Sequence, residues 1–404
     1  MSEVIIQRKG FITIDDTKIY KRCRVQIQGK GVVLRDEVLG KDIKTKKQQV
    51  CKVDDFIVAE IDAKVGGFGI VPKELETAVV SGHYFLFEID KLKLLPEFLG
   101  LIVTQSEFLK QVKSTGSTNY SAIRPSQVLN YKIPLPKIEE QREIINKYLK
   151  KTTEAERLKE EADTLEQEIK DFLADKLGLT AEKKTETEKG LHFVNFNNLN
   201  RWDLKFLLQH ENINKSNYPL IPYEKLFISL KNGISARNYT SHGTRFLKVS
   251  DIKLNIIDDS NVKFIQKFKE SDLITKNTLL ITRKGTVGNS VYINDDKKFT
   301  ASSEIFIIKL SQEIDGNYFA EVNNMTGFVQ KQYIEKNTGT IMPSLSQSKL
   351  KEILIPLPPL EIQREISNHV YFLKKSISEM ILKAKNKEED AKQEFERTIF
   401  NSNN

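Results

Sequence analysis

The chain has 404 residues, 39% of them hydrophobic, which is enough for two or three domains and too apolar for general disorder. Its formal net charge of +8 is unevenly spread: residues 1–137 carry +6, 138–177 carry −4, 178–355 carry +6 and 356–404 balance, so two basic blocks point to a polyanionic partner. Cys23 and Cys51 are the whole cysteine complement, which excludes a disulfide framework and suits a reducing cytoplasm; no apolar run reaches the ~18 residues of a membrane span, and Met1–Gly10 hold no signal-peptide core.

From the N-terminus, "KIYKRCRVQIQGKG" brings Tyr20, Lys21, Arg22, Arg24 and Lys30 close together, cations interleaved with an aromatic. Such side chains neutralise phosphates and reach base edges. "QVCKVDDFIVAEI" and "VVSGHYFLFEI" are β-branched and aromatic at strand length. Between them Asp55, Asp62 and Lys64 mimic the acid…acid-x-Lys spacing of a metal-dependent nuclease. "GGFG" (66–69) is either a tight hairpin or a close approach of backbone amides to a phosphate, helped by Lys64. "LPEFLGLIVTQSEFLKQVKS" has helical periodicity, and the polar loop "STGSTNYSAIR" ends in Arg124.

"IPLPKIEEQREI" (133–144) follows. Its prolines hold the chain extended, and its acids fall in the first turns of a helix, where the dipole favours them. Gln141, Ile144, Tyr148, Lys151, Ala155, Leu158, Ala162, Leu165, Ile169 and Phe172 then recur at spacings of 3 and 4, a heptad seam. "GLTAEKKTETEKG" (178–190) is a charged linker, and "RWD" (201–203) opens a second basic domain. There "KNGISARNYTSHGTRFLKVSD" gathers Arg237, Asn238, Tyr239, Arg245 and Lys248, and the turn "RKGTVGN" adds Arg283 and Lys284. "NTLLITRKG" and "SSEIFIIKL" are strand-like, and "NYFAEVNNMTGFVQKQYIEK" is helical. The polar loop "NTGTIMPSLSQSK" precedes "IPLPPLEIQREI" (355–366), identical to its first copy at nine of twelve positions, 222 residues on. A second seam runs Gln363, Ile366, Val370, Leu373, Ile377, Met380, Ala384, weakening from Lys387 to Ala391.

The 222-residue offset holds far upstream of the prolines: Val65-Gly66 matches Val287-Gly288, Ser81 matches Ser303, and Ser126 matches Ser348. Thr115-Gly116 and Thr338-Gly339 correspond within one residue. The predicted architecture is α+β: two similar mixed basic domains, each followed by a long helix, with the two helices paired in a coiled coil. The divisions are 1–137 (first domain), 138–177 (first spacer helix), 178–191 (linker), 192–358 (second domain) and 359–400 (second spacer helix). Helices of about 38 residues would be roughly 57 Å long, and neither seam can remain in water. Strand order is not legible.

The chemistry thins on inspection. The repeat equivalents of Asp62 and Lys64 are Lys284 and Thr286, so the second copy has no carboxylate there. The five histidines have no ligand spacing, and no P-loop, dinucleotide fingerprint or nucleophile constellation is present. Basic modules without catalytic residues describe a duplex-DNA reader, and a nuclease or a coiled-coil adaptor are the alternatives.

Two variable basic domains, each ending in IPLP-x-x-E-x-Q-R-E-I and a long helix, resemble the specificity subunit of type I restriction-modification systems. The resemblance covers nearly the whole chain. It implies a non-catalytic, cytoplasmic subunit whose two target recognition domains, separated by two long antiparallel helices forming a coiled coil, each read one half of a split, asymmetric DNA target. It further implies docking of methyltransferase (modification) and restriction (endonuclease/translocase) subunits. No cofactor is expected in this chain; the partners are expected to use S-adenosylmethionine, ATP and Mg²⁺. Gln141, Arg142, Gln363 and Arg364 would lie at the domain–helix junctions. One departure stands out: the second domain has about 22 more residues ahead of its matched region, and the first has no counterpart of "RWD". A monomer with two similar modules imitates a symmetric dimeric reader, and stiff helices would set the gap between dissimilar half-sites.

Overall fold

The computed structural model describes residues 1–113, 122–179, 216–236, 238–337 and 343–400. The expected linker beyond residue 179, "RWD", Arg237, His192, His210, Thr115-Gly116, Thr338-Gly339 and much of the two polar loops lie outside the described residues. Two compact units are present, one of Met1–Lys159 with Leu382–Asn404, the other of Glu160–Ile381. This division gives each unit one α+β domain and a stretch of both long helices.

Unit 1 contains β1 (Ile5–Arg8), β2 (Phe11–Thr13), β3 (Ile19–Val25), β4 (Val32–Leu39), β5 (Lys47–Val50), β6 (Phe56–Ala59), β7 (Phe68–Ile70), β8 (Val79–Val80) and β9 (Tyr84–Ile89). The helices α1 (Pro96–Ile102), α2 (Ser106–Leu109), α3 (Pro125–Asn130) and the start of α4 (Ile138–Leu177) follow. A sheet ordered β1-β9-β6-β7 sits between two apolar layers. Because strand side chains alternate, Phe56 and Val58 of β6 face a core with Phe98 and Phe108 of the helices. Ile57 and Ala59 face a second core with Cys23 and Val25 of the sheet β2-β5-β8-β3-β4. Burial on both faces explains why "FIVA" shows no polar alternation.

Unit 2 contains β10 (Leu220–Pro222), β11 (Phe227–Asn232), β12 (Thr244–Leu247), β13 (Ile252–Lys253), β14 (Ile256–Ile257), β15 (Phe264–Ile265), β16 (Thr278–Thr282), β17 (Ser290–Ile293), β18 (Phe299–Ala301) and β19 (Ile305–Leu310). It continues with α5 (Gly316–Met325), α6 (Gly327–Lys336), α7 (Gln347–Lys351), β20 (Leu354–Pro356) and the first part of α8 (Leu360–Phe400). Its central sheet is ordered β11-β19-β16-β17, the same path as in unit 1. The central strands keep the same pairing: Phe56–Phe87, which faces the helices of unit 1, is answered by Leu279–Ile308, shifted by 223 and 221 positions. Leu279 and Ile308 face α5–α7, and Leu280 and Ile307 face β12 and β18.

The units diverge outside that scaffold. Unit 1 carries a long β3–β4 ribbon; unit 2 has a three-stranded sheet β15-β12-β18 and a short β13–β14 hairpin in its place.

Both long helices are α-helical throughout, over 40 and 41 residues, and pair antiparallel within each unit. In unit 1 the Tyr148 ring meets Phe395 edge-on at 5.9 Å, and Lys151 and Lys159 pair with Glu394 and Glu388 at 2.7 and 2.5 Å. In unit 2 Phe172 packs on His369 at 4.3 Å and Lys176 reaches Glu365 at 2.9 Å. Lys151, the polar break in the predicted seam, is therefore an ion-pair position. Leu158, Ile169, Ile366 and Val370 are buried; Ile144, Tyr148, Leu165, Leu373, Ile377 and Met380 are half-buried. The seam of α8 does not fade: Ala391, Phe395 and Ile399 are buried, with Phe395 packed on Phe98.

Candidate nucleic-acid interface

In unit 1 the predicted contact residues divide by what they touch. Tyr20 is half-buried and its hydroxyl accepts from the Asp15 amide at 3.0 Å. Arg22 lays its guanidinium fork across both oxygens of Asp36, at 2.7 and 2.6 Å. That contact holds the Asp36 carboxyl below its ordinary range and raises Arg22. Lys21 and Arg24 are exposed on β3, and Lys30 is exposed in the turn after it. That turn is pinned to the short helix Asp62–Val65 by Gln28 N–Val65 O at 2.7 Å and Gly29 N–Gly66 O at 3.2 Å. Gly66 has φ +83°, and a Cβ there would lie 3.0 Å from the Gly29 nitrogen. The glycine pair thus serves a close approach of two protein backbones, and it places exposed Lys30 and Lys64 on adjoining turns. Arg124 is exposed before α3, 3.6 Å from Glu60.

Unit 2 commits more of its cations. Arg245 pairs with Asp259, donates to Asp258 O at 2.8 Å, and its guanidinium is pushed below its ordinary pKa by burial. Lys248 stands 3.7 Å from Asp251. Arg283 donates to Leu345 O at 3.4 Å and Ser303 O at 3.3 Å and lies 5.4 Å over the Phe306 ring, so it braces the turn. Asn238, Tyr239 and Lys284 are exposed, the Tyr239 ring lying 5.9 Å from Phe246.

The carboxylates of the nuclease alternative do not converge. Asp55 is buried, paired with Arg8, and accepts the Lys52 amide at 2.7 Å, whereas Asp62 and Lys64 are exposed. Among the described residues no group of three His, Cys, Asp or Glu is placed to hold a metal ion.

The junction glutamines are fully buried. Gln141 accepts from the Leu95 amide at 2.9 Å and donates to Lys93 O and Pro136 O, both at 2.8 Å. Gln363 accepts from the Asp315 amide at 2.7 Å and donates to Glu313 O at 3.1 Å and Pro358 O at 2.8 Å. Leu95 and Asp315 are the N-cap residues of α1 and α5, so each amide ties the first turn of a domain helix to the start of a long helix. Arg142 and Arg364, beside them, are exposed.

Two features escaped sequence reading. Cys23 pairs with Leu34 and Arg22 with Asp36, which leaves Arg35 as the extra residue of a β-bulge. Lys374 of α8 pairs with buried Glu321 of α5 at 2.5 Å and donates to Leu254 O at 2.8 Å, tethering the β13–β14 turn. No local pattern marks either.

A duplicated α+β module with cationic loops is the class of protein these observations define. The family model of the type I restriction modification DNA specificity domain matches residues 5–170 and again residues 207–389. The chain belongs to that family. Its function is DNA sequence recognition in a type I restriction-modification system, without catalysis of its own. A solved structure described as the structural basis of complex assembly and conformational transition of the type I R-M system is similar in fold, at 16% identity and TM-score 0.59, covering 98% of this chain and 94% of that one. The HsdS subunit from Thermoanaerobacter tengcongensis matches at 16% identity, TM-score 0.42, 98% and 93% coverage. The type I restriction-modification S subunit from M. genitalium matches at 14%, 0.48, 98% and 94%.

Proposed function

We propose that each unit reads one half of a bipartite, asymmetric duplex target. The observation behind this is the pairing of a shared scaffold with divergent β3–β4 and β12–β15 regions: the repeat keeps the frame and changes the reader. Lys21, Arg24, Lys30, Lys64 and Arg124 would meet the first half-site; Asn238, Tyr239, Lys248 and Lys284 would meet the second, with Arg237 assigned from sequence alone. Arg22, Arg245 and Arg283 would act by holding the reading elements in shape.

Modification subunits would dock on the outward faces of the long helices. Tyr371 and Phe372 of α8, 61% and 64% exposed and packed on each other, are a costly pair to leave in water. Restriction subunits would join that assembly. S-adenosylmethionine, ATP and Mg²⁺ would belong to the partners, and the complex would work in the cytoplasm; among the described residues no helix is long and apolar enough to cross a membrane.

The test is selection from a random duplex pool by the chain assembled with its modification subunits. Two short fixed blocks separated by a constant gap are expected, and substitutions at Lys21 and Arg24 should degrade one block only. A single block, or coupled loss of both, contradicts the reading.

A further inference from the structure

We propose that the bulge of the β3–β4 ribbon, Leu34–Arg35 with neighbouring Arg24, is a base-reading site for the major groove, Arg35 taking a guanine edge. The proposal rests on the assignment of unit 1 as a reader of one half-site.

The face of β3 that carries Ile19 and Lys21 is open to solvent, and from the bulge onward it is covered by core at Cys23 and Val25, so the opposite face carries the exposed residue. On β3, Ile19 and Lys21 are exposed before it, Cys23 is buried at it, and Arg24 is exposed after it. On β4 it leaves Leu34 and Arg35 exposed in succession, which regular alternation forbids. The two arginines at this point are not equivalent. Arg22 occupies both oxygens of Asp36 with its fork, which stiffens the ribbon. Arg35 has only Nε at 3.7 Å from that same carboxylate, and its side chain is 57% exposed. Its terminal nitrogens remain available for the planar, two-bond contact that guanine O6 and N7 offer. Leu34, 45% exposed, is an apolar surface beside it of the kind a thymine methyl meets. A two-stranded ribbon is one of the two elements that the major groove admits. Lys21 stands opposite Glu37 and is locally compensated, so the unspent charge is concentrated at the bulge end.

The 222-residue offset does not return an arginine here. Position 257, 222 residues after Arg35, is Ile257 on the short hairpin strand β14. The two half-sites should therefore be read by different devices.

The experiment selects from a random duplex pool with the full chain and its modification subunits, comparing wild type, Arg35→Ala, Arg35→Lys, Lys21→Ala and Arg24→Ala. Arg35→Ala should reduce preference about ten- to a hundredfold at one or two base positions of one half-site, as expected for one bidentate contact. The other half-site should keep its preferences. Arg35→Lys should restore affinity for mixed-sequence duplex but not the base preference, since an ammonium lacks the fork. Wild-type preferences in Arg35→Ala, with Lys21→Ala or Arg24→Ala still degrading that half-site, overturn the bulge site and leave the unit's DNA reading standing. Unchanged preferences in all variants remove both. Loss of modification-subunit binding with base preference intact would make this a protein contact and also overturns the proposal.

Discussion

Gln363→Leu is the sharpest test of how a recognition domain is fastened to its helix. Leucine fills a similar volume but returns none of the three amide bonds. The Asp315 N–H and the carbonyls of Glu313 and Pro358 are then left without the side chain that satisfied them. An orphaned buried polar group costs about 1–3 kcal/mol, so the three together should cost about 3–9 kcal/mol. For a unit of this size, at about 2–4 °C per kcal/mol, that lowers the transition by about 6–36 °C. Asp315 also caps α5 by accepting from the Tyr318 amide at 2.8 Å, so the helix start should loosen with it. Calorimetry reads the transition, and hydrogen exchange of residues 315–319 reads the local effect, with residues 95–99 as internal control. Gln363→Glu keeps the acceptor but sets a carboxylate against two carbonyl oxygens, and it should be at least as harmful. A leucine variant within about 1 kcal/mol of wild type, with unchanged exchange at α5, would refute the locking role.

Lys374→Met should cost about 3–5 kcal/mol, because it leaves Glu321 charged and buried, and a second change of Glu321→Leu should recover most of it; thermal unfolding of the single and double variants decides. Lys30→Ala and Lys284→Ala, each removing one exposed cation, should each lower the slope of log affinity against log salt by about 1, and unchanged slopes would show that neither meets a phosphate. Inserting one heptad in both long helices adds about 10.5 Å, close to three base pairs, and should lengthen the preferred gap in duplex selection; the same gap would show that helix length does not set it.

The long-range organisation was legible because it is written in repeats. The proline motif, the heptad spacing and the glutamine in each motif copy are local patterns, and the structure gives each a bond or a packing contact. Arg22, Arg24, Arg245 and Arg283 look alike in sequence. What separates them is folding, which brings Asp36, Asp259 and the Leu345 and Ser303 carbonyls within reach of three of them. Arg35 stayed hidden for another reason: the bulge that exposes it breaks the two-residue period by which a strand face is recognised. The end of α8 is not legible as a heptad because Phe395 answers to the domain core, to Phe98 as well as Tyr148.

The bonds that the two units share are mostly directed at backbone atoms, and this explains how one frame carries two readers. Gln111 forms a two-bond clasp on the backbone of Lys132, both at 2.9 Å, and Gln332 forms the same clasp on Leu354 at 2.9 and 2.8 Å. Gln141 and Gln363 likewise bind only main-chain groups. A backbone N–H or C=O is present whatever the side chain, so lysine can stand where the repeat has leucine without loosening the clasp. Of the side-chain contacts peculiar to one unit, Arg22–Asp36 falls on the ribbon of the first, and Lys374–Glu321, between α8 and α5 of the second, reaches the β13–β14 turn through the Leu254 carbonyl. Scaffold bonds that do not read side chains leave those surfaces free to diverge, and divergent surfaces on a repeated frame are what an asymmetric target requires.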